Sequence, residues 1–214
     1  MRFKNREHAA HLLGKRLRVY ANKNPLVLGI PRGAVPMAKI IADALRGELD
    51  VVLVRKLGHP DHPELAIGAI DESGVTLLAD WASDIDPEYL EAEKSYQLCV
   101  LRKRRAQYTP LRAPVDPRDR IVIVVDDGIA TGSTMTAALR AIRAKKPKKL
   151  IAAVAVASPD AARAMLHECD AMLCLHVSAD FFSVGQFFDD FAQVSDDDVV
   201  EILRGSESKI SAVG

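Results

Sequence analysis

The sequence predicts an α/β protein: an open, mostly parallel sheet flanked by helices. Three observations carry that expectation. Short β-branched runs alternate with helix-like stretches along the 214-residue chain. The runs are apolar on consecutive residues, as strands buried on both faces require. One run leads into two acids and a glycine- and threonine-rich loop that opens a helix, where open α/β sheets bind ligands.

In chain order, the stretch from Asn5 to about Tyr20 places Ala9, Leu12, Leu13 and Leu17 on one helical stripe. Leu26–Ile30 is the first buried strand, and Val35 to Leu45 the helix after it. Val51–Val54 reads as the second parallel strand. Val75–Leu78 follows the turn-prone Asp71-Glu-Ser-Gly74 and reads as the second arm of a hairpin off the main sheet. Asp86-Pro87-Glu88 supplies an N-cap, a proline at the first helical position and an acidic first turn. That helix runs to about Tyr108 and ends in Arg102-Lys-Arg-Arg105, which suits the helix dipole. The three prolines of Thr109–Arg120 mark a connection rather than a domain boundary. Ile121–Val125 is a further buried strand, with Asp126 and Asp127 at its end and Gly128 to Thr134 opening the helical stretch Ser133 to Ala144. Leu150–Val156 and Ala171–His176, richer in alanine and cysteine, complete the strands. No internal repeat interrupts this order, and residues 1–214 are expected to form a single domain.

Almost half the residues are apolar, enough to bury a sizeable core. The 29 basic residues balance 29 acidic ones, so the chain lacks the basic bias of nucleic-acid binders. No apolar run approaches membrane-span length, and Met1-Arg-Phe-Lys-Asn-Arg-Glu7 lacks the apolar core of a signal peptide. A cytoplasmic location with no membrane partner is the expectation. Cys99, Cys169 and Cys174 are expected to be buried thiols, since disulfides and zinc sites need paired, closely spaced ligands.

The chemistry concentrates in Val124-Val-Asp-Asp-Gly-Ile-Ala-Thr-Gly-Ser-Thr134. Gly128 and Gly132 let backbone N–H groups turn inward, and the helix N-terminus adds partial positive charge, forming an anion cradle. Thr131, Ser133 and Thr134 add hydroxyl donors. Asp126 and Asp127 would repel a bare phosphate; their useful partners are hydroxyl groups or a magnesium ion carried by the ligand. A sugar phosphate satisfies both halves. Competing motifs are absent: Ser133 stands where a Walker A loop has lysine, and the chain contains neither Gly-x-Gly-x-x-Gly nor Gly-x-Ser-x-Gly. A plain turn flanked by two solvated aspartates remains the bland alternative.

This segment resembles the phosphoribosyl-diphosphate motif of type I phosphoribosyltransferases essentially at every position. The resemblance implies that Asp126 and Asp127 hold the ribose 2′- and 3′-hydroxyls. It also implies that Gly128, Ile129, Ala130, Thr131, Gly132, Ser133 and Thr134 hold the 5-phosphate. Gly29-Ile-Pro-Arg-Gly-Ala34 looks like the family's diphosphate loop, which assigns Arg32 and Gly33 to the leaving group. Val54-Arg-Lys-Leu57 is similar to the segment whose lysine contacts diphosphate; Lys56 is the better candidate, with Arg55 beside it.

From that resemblance follow a core over about residues 25–177, a flap over about 57–78, and a hood over about 178–193 with the N-terminal helix. The expected fold is thus the type I phosphoribosyltransferase fold with a small hood. The implied reaction is displacement of diphosphate from phosphoribosyl diphosphate by a small nitrogenous base, with magnesium as cofactor. A homodimer is expected too. A non-catalytic regulatory module that binds phosphoribosyl diphosphate is the runner-up, and a reused fold in DNA uptake or repair a third reading.

Three further features bear on the reading. Ala130 stands where hypoxanthine- and guanine-type enzymes carry an acid, which argues against a 6-oxopurine acceptor. Phe181, Phe182, Phe187, Phe188 and Phe191 either stack on a planar acceptor or pack the hood. His59-Pro-Asp-His62-Pro-Glu64 offers a weak metal-site signal, with diphosphate-contacting or plain surface roles as alternatives.

Overall fold

A computed structural model describes residues 1–62, 65–110 and 113–210. Helix α1 (Arg6–Arg16) is followed by strand β1 (Leu26–Gly29), helix α2 (Ala34–Leu45) and strand β2 (Glu48–Val51). Three strands come next: β3 (Val54–Gly58), β4 (Ala66–Asp71) and β5 (Thr76–Leu78). Helix α3 (Pro87–Tyr108) leads to β6 (Ile121–Ile129), α4 (Ser133–Ala144), β7 (Lys149–Ala157), α5 (Pro159–Met165), β8 (Ala171–Val177) and α6 (Asp196–Ile210).

The main sheet has the order β2-β1-β6-β7-β8, with every neighbouring pair parallel. Successive residues of its strands feed two cores. Val27, Ile123, Val125, Ile151 and Ala153 face α1, α2 and α6 through Leu13, Ile41 and Leu203. Leu26, Leu28, Val122, Val124 and Ala152 face α4 and α5 through Met135, Leu139 and Met165. This two-sided burial is why the strand runs are apolar at every residue. The strand order reverses direction between β1 and β6, so their carboxyl ends flank the crevice of an open α/β sheet.

Most elements match the sequence expectation, and the differences have physical reasons. The Val51–Val54 run is not one parallel strand. Its parallel part ends at Val51, the partner of Gly29 at the end of β1, and the last bond runs from the Val52 N–H to the Gly29 carbonyl (3.2 Å). With no parallel partner left, Val54 starts a separate antiparallel sheet, β3-β4-β5. The β4–β5 pair is the expected hairpin off the main sheet, although β4 itself was not foreseen. Helix α1 stops at Arg16, before a 3-10 turn at Arg18–Tyr20. Its buried face runs through Ala9, Ala10, Leu13 and Leu17, with Leu12 at the margin.

Helices α5 and α6 were also missed, although both carry start signals. Ser158 caps α5 by accepting from the Ala161 N–H (3.1 Å). Ser195 and Asp198 form a reciprocal capping pair at the start of α6. The three cysteines are unpaired. Cys169 and Cys174 are half-buried, but Cys99 is exposed because α3 turns Gln97, Leu101 and Tyr108 inward instead. No described helix is long and apolar enough to cross a membrane.

One buried polar network anchors the small sheet to the main one. Arg105 on α3 reaches both carboxylate oxygens of Glu72, in the β4–β5 turn. It also donates to Asp50 of β2 (2.8 Å) and to the Val51 carbonyl (3.1 Å). Asp50 is 1% exposed, and its other oxygen accepts from the Val115 N–H (2.9 Å). Beside it, Lys145 pairs with the buried Asp71 at 3.0 Å. Arg105 therefore joins α3, β2 and the hairpin turn at one point. Arg105→Ala removes a shared cation from two carboxylates in a low-dielectric site. The expected cost is about 3–5 kcal/mol of unfolding free energy, measurable by denaturant or thermal unfolding; a loss within experimental error would show the network to be idle.

Candidate functional site

The site grows out of a length mismatch between neighbouring strands. Strand β1 ends at Gly29, opposite Val125, and the Ile30 N–H makes the last bond, to the Val125 carbonyl (3.0 Å). Strand β6 continues to Ile129 because β7 accompanies it as far as Ala157. Asp126 to Ile129 are thus strand residues paired on one side only. This corrects the expectation that the strand stops at Val125 with the acids beyond it. The loop proper is Ala130–Gly132, and the helix starts at Ser133, as the sequence predicts.

Two glycines shape this stretch. A side chain at Gly128 would lie 2.5 Å from Val156 Cγ2 and 2.7 Å from Val184 Cγ1, so glycine is needed for β6 to pass under the 180s segment. Gly132 caps α4 at φ +79°, in the left-handed region where glycine is favoured. The loop is also held from behind. The Ser158 hydroxyl donates to the Ala130 carbonyl (2.6 Å), and the Ser158 N–H donates to the Ile129 carbonyl (3.1 Å). Ile129 is buried, whereas Ala130, Thr131, Ser133 and Thr134 are exposed at the head of α4. The Thr131 and Ser133 hydroxyls lie 3.0 Å apart. Hydroxyls and amides at a helix N-terminus make an anion-binding surface. A cleft of about 260 Å³ separates this surface from the small sheet, with Thr131, Ser133 and Thr136 on one wall and Ala66, Gly68 and Leu77 on the other.

Across the crevice stands the turn after β1. A side chain at Gly33 would come within 2.4 Å of Asp127 Oδ2, so the turn and the acid pair are in direct apposition. The Pro31–Arg32 peptide is cis. Arg32 is part-exposed and reaches Asp196 at the start of α6 (3.4 Å). The other Asp196 oxygen accepts from the buried Tyr108 hydroxyl. Burial and that bond push the Tyr108 hydroxyl well above the usual phenol range.

The structure brings Gly33, Asp127, Gly128 and the 130–134 loop around one crevice, whereas Arg55 and Lys56 stand on β3 of the small sheet. Arg55 donates to Gln97 on α3, and Gln97 donates to Glu93 (2.9 Å). Lys56 is the next residue of β3, is exposed, and points to the opposite face of the small sheet. His59 and His62 have ring centroids 5.5 Å apart; Pro63 and Glu64, the rest of that loop's metal reading, lie outside the described residues. Among the described residues, no three or more His, Cys, Asp or Glu side chains are grouped to hold a metal ion.

The two acids share a difficult environment. Burial pushes the Asp126 carboxyl well above its usual range, and the neighbouring Asp127 charge pushes it further. Burial also raises Asp127, but Arg6 opposes this, its Nε donating to Asp127 Oδ2 at 2.8 Å. Sequence reasoning missed Arg6, because its position in the first turn of a helix carries no chemical signal. It also missed Tyr108 and Asp196, which meet only through the fold.

The phenylalanines of the 181–191 segment are sorted by the fold. Phe188 packs on both Phe3 and Phe191, and Phe187 on both Phe181 and His176. The guanidinium of Arg6 lies 3.6 Å from the Phe191 ring centroid. These rings pack one another, whereas Phe182 is 90% exposed.

The sequence model of the phosphoribosyl transferase domain family matches residues 4–189. Two Mycobacterium tuberculosis proteins named as candidate phosphoribosyl transferases are 39% identical over 215 residues, covering 99% of this chain. The chain spans about half the length of these curated relatives (48%). Among solved structures, TT1426 from Thermus thermophilus superposes with a TM-score of 0.87 at 43% identity, over 95% of this chain and 98% of that one. The AQ2163 protein from Aquifex aeolicus, at 13% identity and a TM-score of 0.51, covers 81% of this chain and 73% of its own, and shares the fold.

Because the raised Asp126 carboxyl favours its protonated form, its ionisation costs stability as pH climbs from the ordinary carboxylate range, near about 4, through the raised folded value. Asp126→Asn removes that cost. The variant is expected to melt higher than the wild-type chain at pH 7–8, the difference vanishing below about pH 4. A lower melting temperature at neutral pH would contradict the burial argument.

Proposed function

The chain belongs to the phosphoribosyl transferase domain family, and we propose that it transfers the phosphoribosyl group of phosphoribosyl diphosphate to a small nitrogenous base, releasing diphosphate. The observation that carries this reading is the one-sided extension of β6. It lines up two adjacent carboxylates with an exposed, hydroxyl-rich helix N-terminus, and it does so directly opposite the Gly33 turn. Few ligands need both halves at once. A ribose 5-phosphate has vicinal hydroxyls for the acids and a dianion for the loop.

The geometry supports the following assignment of roles. The 5-phosphate sits at the head of α4, on the hydroxyls of Thr131, Ser133 and Thr134 and the amides of the Gly128–Gly132 stretch. Asp126 and Asp127 accept from the ribose hydroxyls, which fixes the ring and turns a bimolecular displacement into a positioned one. The turn at Arg32 and Gly33 faces the leaving diphosphate, with Lys56 as a further cation if the small sheet closes on the ligand. The sugar becomes oxocarbenium-like as the C1–O bond to diphosphate breaks and the base nitrogen bonds to C1. Fixed cationic and N–H groups stabilise the leaving charge electrostatically.

Magnesium fits this donor set. Adjacent carboxylates and ligand phosphates are the hard oxygen donors it prefers, and it keeps few protein ligands when phosphates are available. When bound, it would neutralise charge on the diphosphate. Flap duty falls to the small sheet over residues 57–78, and the hood to 178–193 with the N-terminal helix. For the acceptor, the exposed Ala130 offers no acid to a 6-oxopurine. Phe182 is the exposed ring of the hood.

The test is acceptor-dependent diphosphate release from phosphoribosyl diphosphate and magnesium over a panel of bases. Release with at least one base is expected, abolished by chelation and reduced about 100-fold or more by Asp127→Asn, as for lost positioning. Tight binding without release across the panel would instead support a regulatory module that binds phosphoribosyl diphosphate. Absence of binding would sink both.

A further inference from the structure

Resting on that reading, we propose that Arg6 is a positioning residue: it sets Asp127 for the sugar hydroxyls and couples sugar binding to the N-terminal segment. Arg6 joins three parts of the chain: β6, the 191–192 segment and, at its border, the Gly33 turn. Its Nε donates to Asp127 Oδ2 (2.8 Å), and one terminal nitrogen donates to the Ala192 carbonyl (2.6 Å). Its guanidinium covers the Phe191 ring at 3.6 Å. Another terminal nitrogen would lie 3.1 Å from a side chain at Gly33, so the guanidinium also borders the turn that faces the diphosphate. Both members of the Arg6–Asp127 pair are 14% exposed. At that burial an ion pair is not screened away as a surface pair is.

The delivery of Arg6 is as constrained as its contacts. The Asn5 side chain caps α1 by accepting from the His8 N–H (2.9 Å). The residues before it form a short ladder with the hood: the Phe3 N–H bonds the Phe187 carbonyl (2.8 Å), and the N–H groups of Asp189 and Asp190 bond the Phe3 and Lys4 carbonyls (both 2.9 Å). Phe191 is itself backed by Phe188, with ring centroids 5.0 Å apart. Arg6 thus rests on a stack that cannot shift without moving the hood. One Asp127 oxygen is engaged from the side of α1, which fixes the rotation of the carboxylate toward the crevice. A planar guanidinium can pair, bond a carbonyl and stack simultaneously, whereas an ammonium group cannot.

The experiment compares ribose 5-phosphate with inorganic diphosphate by calorimetry on the wild-type chain, Arg6→Gln and Arg6→Lys. A positioning role predicts that Arg6→Gln binds ribose 5-phosphate roughly 10- to 100-fold more weakly, the scale of a hydrogen bond to a charged group. Diphosphate affinity should stay within about twofold, and Arg6→Lys should recover part of the loss. If Arg6→Gln does not fold, Phe191→Leu keeps the cation but removes its support, and is expected to weaken the sugar phosphate alone. Unchanged ribose 5-phosphate affinity in Arg6→Gln, or in Phe191→Leu where Arg6→Gln does not fold, overturns the inference and leaves the proposed function standing. Equal weakening of both ligands shows a merely structural role and also overturns it. A wild-type chain that binds neither ligand overturns the proposed function, and this inference with it.

Discussion

The site depends on β6 being longer than β1. Gly29 closes the ladder against Val125, and from Asp126 to Ile129 the strand has β7 on one side and the crevice on the other. The crevice edge of that stretch therefore has no strand partner, and the exposed Ala130 and Thr131 continue from it. The rigidity comes from behind: β7 continues to Ala157, and Ser158 pins the loop at Ile129 and Ala130. A one-sided strand at a topological switch point combines a fixed frame with an open edge.

The same feature creates the molecule's main electrostatic difficulty. Two adjacent carboxylates sit where burial penalises their charge. Arg6 offsets one of them, and it reaches the crevice from an N-terminal segment that pairs with residues 187–190. The opposite side shows a parallel solution. Arg32 meets Asp196 at the head of α6, whose second oxygen is held by the buried Tyr108 hydroxyl. The arrangement resembles that of the Arg105 network, which uses the end of α3 to place the small sheet beside α4. In each case a long side chain carries a constraint between segments far apart in sequence.

That distance decides what the sequence could reveal. The parallel strands, α2, α3 and α4 were legible because each is written locally, in continuous apolar runs and in caps such as Asp86-Pro87. The candidate loop at 128–134 and the acids before it were legible because one contiguous segment carries them. The split of Val51–Val54 was not, because it depends on where the neighbouring strand ends. Cys99 was misjudged from apolar context, since the turn of α3 and not the local composition decides its exposure. Arg6, Tyr108 and Asp196 gave no signal, because their partners lie 121, 88 and 164 residues away along the chain for the pairs Arg6–Asp127, Tyr108–Asp196 and Arg32–Asp196. The five phenylalanines gave an ambiguous signal that packing resolved: Phe181 stacks on Phe187, Phe188 on Phe191, and Phe182 faces outward.

On the proposed function, the open edge of β6 and the head of α4 together form a sugar-phosphate site. Amide hydrogen exchange with and without ribose 5-phosphate addresses it most directly, because it reports opening of each backbone segment separately. The account predicts slowed exchange confined to peptides spanning 126–134 and the facing turn at 30–34, with little change in β8 or α5. Unchanged exchange at 126–134 under saturating ligand, or protection confined to another surface, would contradict it.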